Sequence, residues 1–362
     1  MSPTRSGAVA RVGLVLAGII LALGIAEGLA RFATRDATGL GQALPPFGMY
    51  TADDDGLKVP VPGYHGWAVL PGQRVEMVID SMGLRGTPQA TGQPGWLLIG
   101  DSFTLGAQVP EAATFRTHLE RALGAPVWNA GVDNYSTWEA TRRYLALADR
   151  LPVRGVLLTV CIDNDMHDNQ GWFERAQQGA PPLPVVGFED RPGPVTLFLH
   201  QHSILRALVA SRLQLRSRQA RPGPQGRAPM SQRVIYSQQG QEMLRQLMPA
   251  TRSAFEELRQ AVADHGHQLL VGFAPEAIQV DPRALEATFA FEGLDLALAD
   301  VEAPNRAYAG ALGELGVASC DPTQALREAV QRGERPYLTW DGHWSAAGHA
   351  LYAQAILACM GI

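Results

Sequence analysis

Two blocks at opposite ends of this 362-residue sequence carry the residue types of a nucleophile, a base and an acid. Ser102 follows the apolar run Leu97-Leu98-Ile99 and the pair Gly100-Asp101, so a buried strand would run straight into a tight turn bearing a hydroxyl. A serine hydroxyl is a poor nucleophile until a base takes its proton, and imidazole titrates near neutrality. His343 stands in Trp340-Asp341-Gly342-His343-Trp344-Ser345, just before the last helical stretch. Asp341, two residues earlier, could fix the tautomer of that ring and stabilise imidazolium. Each block alone also reads as a helix cap or a loop; together they describe nucleophilic acyl chemistry.

Such chemistry needs donors for a developing oxyanion. A serine opening a helix gains from the free N–H groups and positive end of that helix. Asn129-Ala130-Gly131-Val132 supplies a glycine whose N–H could approach a substrate oxygen, and Cys161-Ile162-Asp163-Asn164-Asp165 supplies the Asn164 amide. As single residues, Gly131 and Asn164 are ordinary turn residues. His349 is the competing base, but the Asp-x-His context favours His343. The pairs His200/His202 and His265/His267 have alternate spacing without a third ligand cluster, so they read as surface residues. Asp165 and Asp168 either shape the site or are solvated.

The elements that must position these residues are legible as an alternation. Short apolar runs at Trp96 to Ile99, Val127 to Ala130, Val156 to Cys161, Leu269 to Phe273 and Gly316 to Cys320 read as five buried parallel strands. Helical patterns at Phe115 to Leu123, Trp138 to Asp149, Glu242 to His265, Asn305 to Leu315 and Ala346 to Met360 fall between and after them. This rhythm predicts a doubly wound α/β sheet, whose ligands bind beyond the carboxyl ends of the strands. Residues 36–92, rich in Gly, Pro and Asp, read as a linker and small β lead-in with one strand at Arg74 to Ile79. The domain then runs from 93 to 362, with an insertion at about 170–240 whose Pro/Gly patches surround a basic stretch, Ser203 to Arg218.

Residues 1–35 carry the targeting signal. Arg5 and Arg11 precede the apolar run Val12 to Ala26, and with Glu27 at an interface Ala8 to Ala30 is long enough to span a bilayer. A cleaved signal peptide and an uncleaved anchor both fit; the lack of a small-x-small cleavage site favours the anchor, with the rest of the chain outside. The net charge of −5 has no long basic run, which argues against nucleic acid as a partner. The three cysteines lack metal-binding spacing; Cys320 and Cys359 could pair outside the cytoplasm, or all three could be buried thiols. No cofactor is called for, and nothing in the sequence fixes an oligomeric state.

In this order, the four blocks resemble the SGNH/GDSL hydrolase superfamily over residues 95 to 360. The resemblance implies a flavodoxin-like three-layer α/β/α sandwich around a five-stranded parallel sheet. It also implies a triad of Ser102, Asp341 and His343, and an oxyanion hole of Ser102, Gly131 and Asn164. Two departures stand out: Asp341-Gly342-His343 is one residue tighter than the usual Asp-x-x-His, and Ile162 replaces the glycine expected two residues before Asn164. The tight form is similar to a membrane-associated branch that includes exopolysaccharide O-acetyltransferase relatives such as alginate acetylation proteins. The expected activity is a serine esterase on O-acyl groups of an envelope polysaccharide or lipid. The alternatives are transfer of the acyl group to a glycan, and an inactive glycan-binding assembly protein.

Overall fold

The computed structural model describes residues 5–33, 46, 48–70, 73–87, 92–179, 193, 195, 198–199, 203–206, 209, 232–338 and 342–362. Five strands form one parallel sheet: β5 (Gly95–Gly100), β6 (Val127–Asn129), β7 (Val153–Cys161), β8 (Gln268–Ala274) and β9 (Ala318–Cys320), in the order β6-β5-β7-β8-β9. The chain therefore leaves β5 to one side, returns, and pairs β7 on the other, which makes the end of β5 the topological switch point.

Alternation along the strands makes the layers. On β5, Trp96 and Leu98 face one core while Leu97 and Ile99 face the other. The first core is completed by Phe115 and Leu119 of α3 (Phe115–Leu123) and by Tyr352 and Ile356 of the last helix, Ala346–Cys359. The second takes Tyr144 and Leu147 of α4 (Thr137–Ala148), Phe255 and Leu258 of the helix Gln241–Asp264, and Tyr308 of the helix Ala303–Glu314. The result is the three-layer α/β/α sandwich expected from the sequence. Among the described residues, three further helices of more than one turn, Asp165–Gln177, Pro282–Glu292 and Thr323–Gln331, were not among the expected ones.

The lead-in holds more than the single expected strand. Four short strands, β1 (Tyr50–Ala52), β2 (Lys58–Pro60), β3 (His65–Leu70) and β4 (Gln73–Val78), make two antiparallel pairs. Met49, Leu70, Val75, Met77 and Ile79 share a small core with Leu105 and Ala107, so the lead-in packs against the chain just past Ser102. At the N-terminus, α1 (Arg5–Ala33) contains a 21-residue apolar stretch, Gly13–Ala33, long enough to cross a membrane. Cys320 and Cys359 form a disulfide that ties β9 to the end of the last helix, while Cys161 is a buried free thiol. Most of the expected insertion, with His200, His202 and the stretch from 210 to 231, lies outside the described residues.

Candidate active site

The strand β5 ends in a turn that only glycine can make. Gly100 has φ +138°, and a Cβ there would lie 2.4 Å from the Thr159 carbonyl oxygen and 2.5 Å from Thr104 Oγ1. Asp101 then caps the short helix α2 (Ser102–Leu105), accepting from the Phe103 N–H at 3.0 Å. Ser102 is the first residue of that helix, so its own N–H has no intrahelical acceptor. From Gly95 to Val109 every residue is buried except Ser102, which is partly exposed.

His343 reaches this hydroxyl from a loop closed at both ends. Tyr337 pairs with Trp344, the Leu338 N–H donates to the His343 carbonyl at 2.9 Å, and Gly342 turns the chain at φ +84°. Trp344 is fully buried, with its ring 4.7 Å from Phe103 and 4.3 Å from Tyr352. The ring beside it, His343, is thereby brought over Phe103 at 5.0 Å, and its Nε2 lies 2.8 Å from Ser102 Oγ. Asp341 lies outside the described residues.

His349, the rival base, is a core residue. Its Nδ1 accepts from the Phe115 N–H at 3.3 Å, its ring stacks on Phe115, and burial pushes its pKa down to about 3. It is therefore neutral, with its Nδ1 engaged by the Phe115 N–H. His265 and His267 stack on each other, with His267 Nδ1 2.9 Å from the Tyr144 hydroxyl.

The two expected oxyanion donors both have partners within the fold. The Gly131 N–H donates to Asn129 Oδ1 at 3.0 Å. A Cβ at Gly131 would meet Leu105 N at 2.5 Å and Thr104 Cβ at 2.7 Å, so glycine is required there by close packing on α2. Asn164, between β7 and α5 (Asp165–Gln177), donates from Nδ2 to Asp168 Oδ2 at 3.1 Å. One N–H of that amide is so used and a second remains on the same nitrogen.

Sequence reasoning passed over Asn129 and Arg85. Asn129 Nδ2 donates to the Thr104 carbonyl at 2.8 Å, so one side chain holds both α2 and Gly131. Arg85, almost wholly buried, donates to the carbonyls of Leu105 and of Val109, the latter at 2.7 Å, and pairs with Glu111 at 3.0 Å. It thus satisfies carbonyls at and beyond the open end of α2. No local pattern marks Arg85 in the Gly/Pro-rich lead-in, because its carbonyl partners are 20 and 24 residues away.

Beneath the site lie carboxyls held above their usual range. Burial pushes Asp101 up to about 7, opposed by the Phe103 N–H and by His343. Burial and the nearby Asp101 charge push Asp165 well above the ordinary value, and burial with Glu139 takes Asp168 up to about 6. Among the described residues no group of three His, Cys, Asp or Glu has the arrangement of a metal site.

Residues 235–360 match the family described as ALGX, the SGNH hydrolase-like domain of acetyltransferase AlgX. No curated protein matches the chain. Among solved structures, Axe2, an acetylxylan esterase from Geobacillus stearothermophilus, is 14% identical, with 75% of this chain and 96% of that chain covered and a TM-score of 0.38. A putative lipolytic protein of the G-D-S-L family from Desulfitobacterium hafniense DCB-2 is 12% identical, with 73% and 98% covered and a TM-score of 0.37. The family match holds β8, β9 and the His343 loop and begins after Ser102, Gly131 and Asn164.

Proposed function

We propose that the chain is a serine enzyme of acyl esters, acting on O-acyl groups of an envelope polysaccharide. The observation that carries this reading is the 2.8 Å contact of His343 Nε2 with Ser102 Oγ at the switch point of the sheet. Ser102 Oγ attacks the ester carbonyl as His343 Nε2 takes its proton, and the new C–O bond gives a tetrahedral oxyanion. Collapse breaks the bond to the alcohol, which leaves with the proton from His343 and yields an acyl-Ser102 ester. A water, deprotonated by His343, then releases the acid and restores Ser102.

The Ser102 N–H and the second N–H of the Asn164 amide are the donors for the oxyanion; Gly131 joins them by sharing its N–H with Asn129. Asp341 is assigned the imidazolium partner, by resemblance. No cofactor takes part. A lipid ester is the next substrate class.

Transfer is favoured as a second reading by the acetyltransferase description of the matched family. In that case a sugar hydroxyl replaces water in the second half-reaction. Domain 93–362 would sit outside the cytoplasmic membrane with α1 as its anchor, a placement supported by the Cys320–Cys359 disulfide.

Ser102→Ala should abolish labelling by a fluorophosphonate and turnover of an aryl acetate. Labelling that survives the substitution would overturn the proposal. Adding a glycan acceptor to the active enzyme separates the two readings, by whether acetate appears in solution or on the glycan.

A further inference from the structure

The apolar helix α1 carries one acidic residue inside its span, Glu27, and that carboxylate is fully engaged. It accepts from Ser203 Oγ at 2.9 Å, from the Ile204 N–H at 2.8 Å and from the Leu205 N–H at 3.0 Å, and it pairs with Arg31 at 2.9 Å. Ser203 is the junction of two helical pieces. Its N–H donates to the Leu199 carbonyl behind it, and its Oγ accepts from the Arg206 N–H ahead. Glu27 therefore takes the otherwise unpaired first N–H groups of the helical turn that Ser203 opens.

Among the described side chains of α1, only one stripe is covered. Ala30 is buried and Ala26 and Glu27 partly so, whereas Leu23, Ile25, Leu29 and Phe32 are exposed. Small residues on that stripe permit close approach of another segment.

The depth of the contact follows from helix geometry. Glu27 precedes Ala33 by six residues, which at about 1.5 Å each puts it ~9 Å inside the end of the apolar stretch. An interfacial helix buries its apolar face at about 5–10 Å, the same depth. Around Ser203, helical Val195, Phe198 and Leu199, spaced i, i+3, i+4, and Val209 are exposed by 71%, 61%, 43% and 51%. Basic residues follow in the sequence at Arg206, Arg212, Arg216 and Arg218. A carboxylate inside an apolar span is costly unless it has partners, and here the partners come from the segment that exposes this apolar stripe.

We infer that the exposed apolar residues Val195, Phe198, Leu199 and Val209, beside the Ser203–Arg206 turn, form a second membrane-seated surface, lying in the lipid interface and latched to a retained α1 through Glu27. Its occupant is the outer leaflet that α1 enters, because the Ser203–Leu205 turn beside these residues is bonded to Glu27 within the apolar stretch of α1. This rests on the reading of α1 as an uncleaved anchor. It adds that the domain is held to the bilayer at two points.

The test is a photoactivated apolar carbene reagent dissolved in nanodiscs of phosphatidylcholine and phosphatidylglycerol carrying the full chain, with labelled peptides mapped by mass spectrometry. Expected are labels in Gly13–Ala33 and in 195–209, with loss of the second set and retention of the first in Glu27→Ala. Glu27→Gln, which still accepts from Ser203 and Ile204, should keep part of it. Labels confined to α1, labelling of 195–209 only by a water-soluble carbene, or labelling unchanged in Glu27→Ala would each overturn the inference. An intact mass of the membrane-extracted protein that lacks α1 would overturn it together with the anchor reading. Fluorophosphonate labelling of Ser102 in the same samples reports on folding and on the catalytic reading separately.

Discussion

The turn that presents Ser102 and the loop that presents His343 meet in one hydrogen bond but are held by opposite means. The turn is fixed by backbone fit: Gly100 and Gly131 admit no Cβ, Asn129 ties α2 to the second strand, and Arg85 takes the carbonyls at its far end. The loop is closed by two backbone contacts and seated by one aromatic neighbour, Trp344, sunk among Phe103, Phe115 and Tyr352. The Ser102 hydroxyl is aimed by the backbone of the strand end and by the distant side chains that bond to that backbone. A base on a loop takes its position from the residue beside it, and substitutions in the two regions should therefore fail differently.

The largest effect should come from His343→Ala. Removal of the base should lower kcat/KM on an aryl acetate by about 10⁴-fold, while stability changes by less than about 0.5 kcal/mol because the ring is partly exposed. A loss under about tenfold would remove the base role from His343.

Next is Trp344→Ala, which empties a fully buried site among four rings. A cost of about 3–5 kcal/mol is expected from chemical denaturation of the full chain in detergent. Activity of the surviving folded fraction should also fall, since the backbone contacts alone then seat His343 over Phe103. Full activity per folded molecule would show that the loop is held by other contacts.

Gly100→Ala should follow, at about 3 kcal/mol, from a Cβ driven toward the Thr159 carbonyl at a φ that L-residues avoid. Here activity and stability should fall together, unlike His343→Ala. If the variant is as stable as the parent, backbone fit is not what holds the turn.

How much of this was legible depended on whether a residue's partners were near it in sequence. The five sheet strands were readable as apolar runs because parallel strands are buried on both faces, and Ser102 was marked by the strand that feeds it. The helix Pro282–Glu292 also had its signals, Asp281 as cap, Pro282 at the first position and Gly293 beyond the end, but its amphipathic period is weak. The lead-in strands β1 and β2 are three residues each, too short for alternation to register. Asn129 and Arg85 act on α2 from separate segments, and no local pattern announces such a contact. Gly131 was singled out for its N–H, whereas its packing against Thr104 and Leu105 is what requires a glycine.

Asn129→Ala separates those two reasons. It strips the Gly131 N–H and the Thr104 carbonyl of their buried partner, at an expected cost of about 1–3 kcal/mol. It also leaves the Gly131 N–H unshared. If Gly131 donates to the oxyanion, activity per folded molecule should hold or rise even as stability falls; a parallel drop in both would leave Gly131 as a packing residue only.

The smallest effect is a pH dependence set by a carboxyl at the rim. Burial, then the neighbouring Glu276 charge, lifts Asp163 to about 8, against the pull of Arg233. Its folded pKa therefore lies above the unfolded value near 3.8. The folded chain keeps a proton that the unfolded chain releases, so the stability this group contributes is complete below about pH 4 and is lost as pH rises toward 8. Asp101, at about 7, slopes the same way. Asp163→Asn fixes the uncharged form and can still donate toward Glu276, so urea denaturation of the variant should show a shallower decline between pH 5 and 9 than the parent. Parallel curves for the two proteins would mean that Asp163 is ionised in the fold, paired with Arg233, and would leave the retained proton on Asp165.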